Sequence, residues 1–325
     1  MDSFSTIALS SKSNIKSELP NIETFDFLSA YYQEYYGDDF ADLSFFVIRA
    51  NCVVAAVICF KVENKLCRPS DGIKIYFFST KEQKKIATFI LSYIEEQAKI
   101  YGCSEIIFKD VFVNDNLSLL GNLLFNQRYC SRLTFEMSID YKGFDEELYH
   151  ASIRKSYKSF INWGQKNLRT IIINKQSLSL ENFIAFKEFH LKIAGKKTRS
   201  NKSWDLQYNM IEKGYGELLL SYYQENLVAG SLFTDDGEVS NYCTGVYERD
   251  LFDFGLSHYL MYQGICRSRM RGAAQFSFGY FDTDINDPKW YNIQFFKKGF
   301  CEKLTPVVLW QKLFGTISEK MVEVI

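Results

Sequence analysis

Apolar residues recur at helical spacing in several segments of the chain. In residues 81–102 they stand on one face of a helix, at Ile86, Phe89, Ile90, Tyr93, Ile94 and Ala98. A polar, Ser-rich start leads into a predicted helix at 22–36. Further helices are predicted at 118–125, 145–168, 180–194, 203–213 and 256–272, with a short one before the last strand. Helices of this kind bury one apolar face against another layer.

Short apolar runs between these helices predict β-strands. Two runs flank Ala50–Asn51 as a hairpin, and residues 214–248 supply three antiparallel strands with turns at Glu225–Asn226 and Asp236–Gly237. Single strands are predicted at 72–79, 104–111, 132–140, 169–174, 273–281 and 303–310. Each half therefore predicts a mostly antiparallel mixed sheet packed by helices, which is an α+β arrangement.

The two halves of the chain repeat each other. FNQRYCSRLT begins at Phe125 and FKKGFCEKLT at Phe296, 171 residues apart in a chain of 325. The preceding strands also align, YGCSEIIFKD at 101–110 with RGAAQFSFGY at 271–280. We therefore predict one domain built twice, with an N-terminal domain at 1–142 and a linker helix plus C-terminal domain at 143–325. Cys130 and Cys301 are equivalent in the repeat, which predicts a matched core position.

Composition and charge limit the classes of protein to which the chain can belong. With 47% hydrophobic and 24% charged residues, the chain can bury sizeable cores. The net charge of −1 provides no global field for DNA or for an anionic membrane. Eight cysteines without CxxC spacing favour reduced thiols over a metal site or disulfides. Without a signal peptide or an apolar run of about 18–20 residues, we expect a soluble cytoplasmic protein with no transmembrane segment.

The order of elements resembles the GNAT acyltransferase fold, and its duplication resembles the Fem family of peptidoglycan-bridge aminoacyltransferases. The likeness is carried by these segments: YHASIRKSYKSFINWGQKNLRTII, FHLKIAGKKTRS, LVAGSLF, NYCTGVYE, LSHYLMYQGICRSRMRGAAQFSFGYFD and DPKWYNIQFFKKGFCEKL. It covers residues 145–310 by motif and residues 20–140 by architecture. The resemblance implies tandem GNAT-like domains and transfer of an acyl or aminoacyl group to an amine.

The resemblance also implies where the chemistry lies. GNAT-like sheets bind the oxyanion through backbone N–H groups where two strands splay, which corresponds to residues 242–246. Gly245 fits a bulge or a close backbone approach there, and equally a glycine that relieves strand packing. Asp282 would accept the ammonium proton, and Tyr280 would serve the leaving group. Asp284 and Asp287 follow in what is more simply a polar loop.

Local cations must bind any anionic group of a ligand. Lys297 and Lys298, beside a flexible Gly299, stand where the first half has Asn126 and Gln127, so the second half is predicted to be the active one. The full predicted substrate-binding set is Arg154, Tyr157, Arg199, Tyr242, Thr244, Ser257, Phe296, Lys297 and Lys298. A solvated surface position is the simpler interpretation of any single Lys or Arg. His258 is predicted to be structural because no nucleophile pattern accompanies it.

These observations predict an N-acyltransferase acting on an amine of a cell-envelope precursor, such as a nucleotide-linked amino sugar or a peptidoglycan or polysaccharide intermediate. The donor would be acyl-CoA, an acyl carrier protein or aminoacyl-tRNA, without a metal. Residues 249–260 contain Arg249 and Gly255 but lack the second glycine of the coenzyme A loop. Residues 145–168 are shorter than the helical arm of tRNA-binding Fem enzymes. Two alternatives are an acyl-CoA-dependent N-acetyltransferase on a small amine or protein, and a non-catalytic GNAT-fold binding module.

Overall fold

The computed structural model describes residues 3–9, 22–69, 71–282, 287–301 and 303–314. The elements of the first half are β1 (Ser5–Ala8), α1 (Ile22–Tyr36), β2 (Phe40–Asp42), β3 (Phe45–Arg49), β4 (Cys52–Ile58), β5 (Phe60–Val62), β6 (Lys65–Cys67), β7 (Lys74–Phe77), α2 (Gln83–Ile100), β8 (Glu105–Val113), β9 (Asn116–Leu117), α3 (Leu119–Asn126) and β10 (Cys130–Asp140). Local signals account for many of them. The hairpin residues Ala50 and Asn51 adopt φ of 49° and 63°, and the Ser118 side chain caps α3 by accepting from Gly121 N–H.

Local sequence signals also account for elements of the second half. Its elements are α4 (Glu146–Ser152), α5 (Lys155–Asn167), β11 (Arg169–Ile173), α6 (Leu180–Ala194), α7 (Asn201–Lys213), β12 (Gly216–Tyr223), β13 (Asn226–Asp236), β14 (Val239–Tyr247), α8 (Leu256–Met270), β15 (Gln275–Phe281), α9 (Pro288–Lys298) and β16 (Leu304–Leu313). Ser179 and Ser200 cap α6 and α7, and left-handed Gly195 and Gly214 end them. A 3₁₀ helix at Arg249–Phe254 precedes α8.

The chain forms two compact units. The first takes its described residues from Met1–Leu19, Tyr36–Thr134 and Pro306–Ile325, and the second from Pro20–Tyr35 and Phe135–Thr305. The C-terminal strand β16 thus contributes to the first unit, where it pairs with β8 in antiparallel fashion. The sequence-based division between residues 142 and 143 stays a prediction.

The first unit contains two sets of paired strands. One is a sheet in the order β1-β3-β4-β7, and the other orders β16, β8, β6, β5 and β2. Every pairing is antiparallel except β6 with β8 and a single bridge from Ile73 to Phe108. Helix α2 packs Ile86, Ile90 and Ile94 into the core of this unit. The core also includes Trp310 from β16.

The second unit is built on one mixed sheet. Its strands follow the order β11-β12-β13-β14-β15-β10, and only β14 and β15 run parallel. One cluster of buried residues joins the sheet to α4, α5 and α8, and another joins it to α6 and α7. The helices therefore pack on the sheet through two separate hydrophobic cores. The α+β prediction, with mostly antiparallel mixed sheets flanked by helices, is confirmed.

A buried ion-pair cluster connects the C-terminal end of α8 to the sheet of the second unit. Glu217, only 1% exposed, accepts two hydrogen bonds from Arg267 at 2.6 and 2.7 Å. Arg271 contacts Glu217 at 3.3 Å and binds both Asp235 oxygens at 2.8 Å. Although burial opposes its charge, the hydrogen bonds and charge of Asp235, with the charge of Glu217, raise the pKa of Arg271. These pairs are costly to break one partner at a time.

The first unit buries a carboxyl group of different character. Asp110 on β8 is 7% exposed, and its Oδ2 has no hydrogen-bond partner among the described residues. Gly121 leaves room for this carboxyl group, because a Cβ there would lie 2.3 Å from Asp110 Oδ2. Burial raises the pKa of the Asp110 carboxyl.

Two sequence predictions about local structure are wrong. Residues 145–168 form two helices, because Arg154, with ψ of 127°, is not helical and its N–H binds Gly299 O at 3.0 Å instead of a carbonyl of the preceding turn. Cys130 and Cys301 do not share a core position, since Cys130 is exposed and Cys301 is partly buried. Cys130 begins β10 in a stretch that faces solvent, since Ser131, Arg132 and Leu133 are exposed as well.

Candidate active site

Two parallel strands separate in the second unit, at the place where the sequence predicts an oxyanion site. β14 and β15 pair only from Val239 to Asn241 and from Gln275 to Ser277. Both strands continue past this point, β14 to Tyr247 and β15 to Phe281. β14 stays paired with β13, so alternate N–H groups beyond Asn241 point toward the gap left by β15. An acyl group placed there would meet these backbone donors.

β14 is bulged where the gap begins. Leu232 pairs with Thr244 and Phe233 with Tyr242, so Cys243 has no residue opposite it on β13. Three hydroxyl groups lie beside the bulge: Tyr242 Oη is 3.0 Å from Tyr247 Oη, which is 2.8 Å from Ser231 Oγ. Burial raises the pKa of both phenols, so both stay protonated near neutral pH.

Gly245 lies directly under this hydroxyl cluster. A Cβ at Gly245 would stand 1.6 Å from Tyr242 Oη and 2.9 Å from Tyr247 Oη, distances that real Cβ atoms essentially never show. The phenol of Tyr242 therefore explains the glycine by packing, while the bulge is at Cys243. A contribution of the Gly245 N–H to catalysis stays a prediction.

Helix α9 runs beside the end of β15, which carries Tyr280 and is followed directly by Asp282. Asp282 N–H donates to Gln294 Oε1 at 3.0 Å, and Lys297 Nζ donates to Phe278 O at 2.9 Å. The Phe278 carbonyl is available because β15 is bulged against β10 and Gly279 adopts φ of 85°. Burial lowers the pKa of Lys297. Tyr280 and Asp282 are partly exposed, whereas Asp284 lies outside the described residues.

A second group of predicted residues meets where α5 begins and α9 ends. Arg154 Nη1 donates to Tyr157 Oη at 2.8 Å and Nη2 to Phe295 O at 3.1 Å, while its guanidinium lies 3.9 Å from the Phe295 ring centroid. Tyr157 Oη in turn donates to Phe296 O at 3.3 Å. The structure thus brings Arg154, Tyr157 and Phe296 together, while the ammonium group of the adjacent Lys297 binds the Phe278 carbonyl.

The reason for a glycine at position 299 differs from the predicted one. Its φ of −65° is ordinary helical backbone, so it does not supply unusual flexibility. A Cβ at Gly299 would lie 2.1 Å from the Tyr157 ring. The glycine lets α9 end against α5, which is a packing requirement.

His258 is the residue of this region whose position sequence reasoning did not anticipate. Its ring lies 4.3 Å from Tyr157, 4.8 Å from Phe160 and 5.0 Å from Phe296, between ring centroids. Its Nδ1 is buried without a hydrogen-bond partner among the described residues. Burial, with a smaller contribution from Arg154, lowers the pKa of His258 to about 4 although the Gly255 carbonyl opposes this. A lone histidine near a helix start gives no signal for such surroundings.

The remaining predicted residues lie elsewhere in the second unit. Arg199 Nη1 is 3.1 Å from His190 Nε2 and stacks on Trp204, among the residues of α6 and α7. Thr244 is 3% exposed, which leaves little surface for a substrate. Ser257 is partly exposed in the first turn of α8, and Lys298 is exposed at the end of α9. Gln294, Ser231 and Tyr247 were not predicted, because their partners are distant in sequence or lack a motif.

The start of α8 differs from a simple phosphate-binding loop. Gly255 and Leu256 are buried, and a Cβ at Gly255 would lie 2.4 Å from the Phe160 ring. The Arg249 guanidinium donates to Ile193 O at 3.0 Å. Asp250 and Asp253 are exposed in the preceding 3₁₀ helix, where their charge disfavours a pyrophosphate.

Solved structures share this architecture at low sequence identity. FemX is 16% identical with a TM-score of 0.61, and the alignment covers 90% of this chain and 96% of FemX. The chain has a tandem GNAT fold. A tandem GNAT protein from the clavulanic acid biosynthesis pathway is 9% identical, with a TM-score of 0.53 and coverage of 97% and 99%.

A third similar structure is the C-terminal domain of a putative lysylphosphatidylglycerol synthetase from Agrobacterium fabrum. It is 10% identical, with a TM-score of 0.55 and coverage of 88% of this chain and 90% of that domain. Neither a protein-family model nor a curated protein sequence matches the chain. Within the ranges that the structure describes, every helix is too short or too polar to cross a bilayer.

Proposed function

We propose that the protein is an N-acyltransferase that moves an acyl or aminoacyl group onto an amine of a cell-envelope precursor. The parting of β14 from β15 beside Tyr280 and Asp282 carries this proposal. It combines backbone N–H donors on one strand with a carboxylate and a phenol on the other. The similarity to FemX and to a lysylphosphatidylglycerol synthetase domain supports the choice of an envelope substrate.

The proposed reaction uses these groups in turn. The free amine of the acceptor attacks the acyl carbonyl carbon, a C–N bond forms, and the bond to the donor oxygen or sulfur breaks. Backbone N–H groups of residues 242–246 stabilise the oxyanion, Asp282 takes the amine proton, and Tyr280 protonates the leaving group. The Asp282 N–H bond to Gln294 holds this end of β15 against α9.

The donor is proposed to be an acyl group linked to a carrier protein, in preference to acyl-CoA or aminoacyl-tRNA. Buried Gly255, the engaged Arg249 and two nearby carboxylates leave the start of α8 unlike a coenzyme A pyrophosphate site. The two short helices α4 and α5 provide no long arm for tRNA. An acyl carrier protein therefore fits both observations.

The acceptor is proposed to carry an anionic group near the junction of α5 and α9. Arg154 lies there, with exposed Lys298 at the end of α9 and partly buried Lys297 one residue earlier. Phosphate and carboxylate groups are bound well by such cations. A nucleotide-linked amino sugar or a peptidoglycan intermediate has this chemistry.

Mass spectrometry of small molecules retained by the purified protein is the first experiment. Transfer is then measured with acetyl-CoA, an acylated carrier protein and aminoacyl-tRNA as donors against the retained acceptor. Asp282→Asn should reduce kcat by about 100-fold or more. Glu225→Gln, in the exposed turn between β12 and β13, is the matched control and should retain full activity.

Lys297→Met separates two explanations of that lysine. If Lys297 contacts the acceptor, KM rises; if its bond to Phe278 O only positions β15, kcat falls with an unchanged KM. Full activity in both Asp282→Asn and Lys297→Met would remove these residues from the site. Binding of donor and acceptor without any product would favour a binding module instead.

A further inference from the structure

A polar pocket opens on the first unit between α2, the end of α3 and β16. Its volume is about 350 Å³. It is lined by six side chains that are all polar or charged: Ser92, Glu95, Asn126, Gln127, Arg128 and Lys312. Each of these residues belongs to the first unit. Because ligand sites are usually lined mostly by apolar groups, a lining of this kind selects a small ligand that is itself polar.

Glu95 on α2 is held in place through one of its two carboxylate oxygens. Tyr129 Oη donates to Glu95 Oε1 at 3.1 Å, and Lys312 Nζ donates to the same oxygen at 2.6 Å. Tyr129 is buried, and burial raises the pKa of its phenol, so the phenol stays protonated and keeps donating. No described residue donates a hydrogen bond to Glu95 Oε2. That oxygen is therefore able to accept a hydrogen bond from a ligand.

Arg128 follows the C-cap residue of α3 in a backbone conformation that favours glycine. Its φ is 61°, the left-handed conformation that glycine commonly adopts just after a helix ends. An arginine is thus held here against the local backbone preference. The described residues offer its guanidinium neither a hydrogen bond nor an ion pair. A guanidinium binds a carboxylate well, because two parallel N–H groups match the two carboxylate oxygens.

The charges of the lining favour a ligand with one negative charge. The ammonium group of Lys312 pairs with the carboxylate of Glu95. Arg128 therefore carries a positive charge that no other lining residue balances. A carboxylate on the ligand balances this charge, whereas a neutral or cationic ligand does not.

Asn126 and Gln127 add hydrogen-bonding groups without further charge. The described part of the chain gives neither side-chain carboxamide a hydrogen-bond partner. Each carboxamide offers both donors and an acceptor, and each hydroxyl group of a sugar is likewise donor and acceptor. Ser92 Oγ donates to Thr88 O at 3.1 Å and keeps its lone pairs for a further bond. The neutral part of the lining therefore complements a ligand with several hydroxyl groups.

The second unit uses the aligned segment differently. Residues 126–128 align with residues 297–299 in the repeat. In the second unit the last of these is Gly299, where a Cβ would lie 2.1 Å from the Tyr157 ring that packs on it. In the first unit it is Arg128, whose side chain lines the pocket. The same segment thus makes a helix-packing contact in one unit and a pocket wall in the other.

We propose that this pocket binds a sugar acid, a monosaccharide that carries one carboxylate. Arg128 binds the carboxylate, while the carboxamides of Asn126 and Gln127 and the free oxygen of Glu95 bind hydroxyl groups. The site lies in the first unit, so the proposal goes beyond acyl transfer by the second unit and does not depend on it.

An NMR titration of the full ¹⁵N-labelled chain tests the proposal with glucuronate, glucose, acetate and glutamate. Glucose lacks the carboxylate, acetate lacks the hydroxyl groups, and glutamate replaces them by an ammonium group. We expect glucuronate to bind about tenfold or more tightly than each of the others, because each of them lacks one class of hydrogen bond. Absence of glucuronate binding, or equal binding of acetate or glutamate, overturns the proposal.

Arg128→Gly removes the guanidinium and suits the left-handed backbone, so Tm should be unchanged or higher. Its affinity for glucuronate should fall about tenfold or more, while its affinity for glucose should stay the same. Lys99→Gln is the control, because it removes a positive charge at the exposed end of α2 outside the pocket, and it should bind glucuronate like the natural chain. Undiminished glucuronate binding by Arg128→Gly rejects the site.

Asn126→Ala supplies a readout that charge alone does not change. It should weaken binding of glucuronate and glucose by the same factor, about threefold or more, because it removes hydrogen bonds to hydroxyl groups that both sugars carry. Unchanged binding of both sugars would show that the pocket does not recognise hydroxyl groups and would reject a sugar ligand.

Discussion

Replacement of Gly245 by alanine should destabilise the second unit through Tyr242. The new Cβ would stand 1.6 Å from Tyr242 Oη, whereas real contacts of this kind stay above 3.0 Å. The phenol must therefore withdraw by about 1.4 Å, which breaks its 3.0 Å hydrogen bond to Tyr247. Overpacking costs about 1–3 kcal/mol. A buried hydroxyl left without its partner costs about 1–3 kcal/mol more.

A double-mutant cycle isolates this contact. Tyr242→Phe alone should cost about 1 kcal/mol, since Tyr247 keeps its hydrogen bond to Ser231. In the Tyr242→Phe background the colliding oxygen is gone, so Gly245→Ala should cost at least about 1 kcal/mol less than in the natural chain. Relief is partial, because Tyr242 Cζ is still 2.6 Å from the new Cβ.

Urea unfolding, with hydrogen exchange of the peptide covering 239–247, measures the effect in the unit where it arises. Unchanged stability of Gly245→Ala, or equal cost in both backgrounds, would refute the packing explanation. If the variant is stable but no longer binds donor or acceptor, the glycine instead allows close approach of a ligand to the backbone.

Three further predictions address buried groups. Glu217→Gln should cost about 3–5 kcal/mol in urea unfolding, because it removes the carboxylate that binds Arg267 and leaves Arg271 with Asp235 alone. Asp110→Asn should raise Tm at pH 7 and not at pH 3. Because the pKa of Asp110 is raised in the folded state, the protonated carboxyl contributes fully to stability below the unfolded-state pKa. That contribution is lost as pH rises through the folded-state pKa. His258, with a pKa of about 4, should show neutral-imidazole ¹⁵N shifts from pH 5.5 to 8, and titration near 6.5 would contradict its burial.

The sequence anticipated most elements because their signals are local. Helix α2 follows from apolar spacing within residues 83–100, and the hairpin at Ala50–Asn51 follows from the two apolar runs that flank it. The repeat also pointed to a tandem α+β fold, because buried strand and helix patterns recur at a constant offset. The helix and hairpin signals depend only on residues that are close together in the sequence.

The site depended on contacts that no local pattern records. The interruption after Ser152 arises because Arg154 N–H binds the Gly299 carbonyl, and Gly299 is small because Tyr157 packs on it. Lys297 was predicted as a cation for a ligand, yet its ammonium donates to the Phe278 carbonyl that a bulge exposes. His258 was predicted to be structural from the lack of a nucleophile pattern, and only the structure shows that its ring packs on aromatic residues of α5 and α9.

By itself, the sequence determined the order of helices and strands, the duplication, and the half with cations beside its closing motif. Only the tertiary structure decided that Lys297 binds a backbone carbonyl whereas Lys298 is exposed. The physical reason is that secondary structure responds to neighbouring residues, whereas burial, hydrogen-bond partners and pKa values depend on residues far apart in the chain. Gly245 shows the difference: a glycine in a strand can be read from the sequence, but the Tyr242 phenol that requires it cannot.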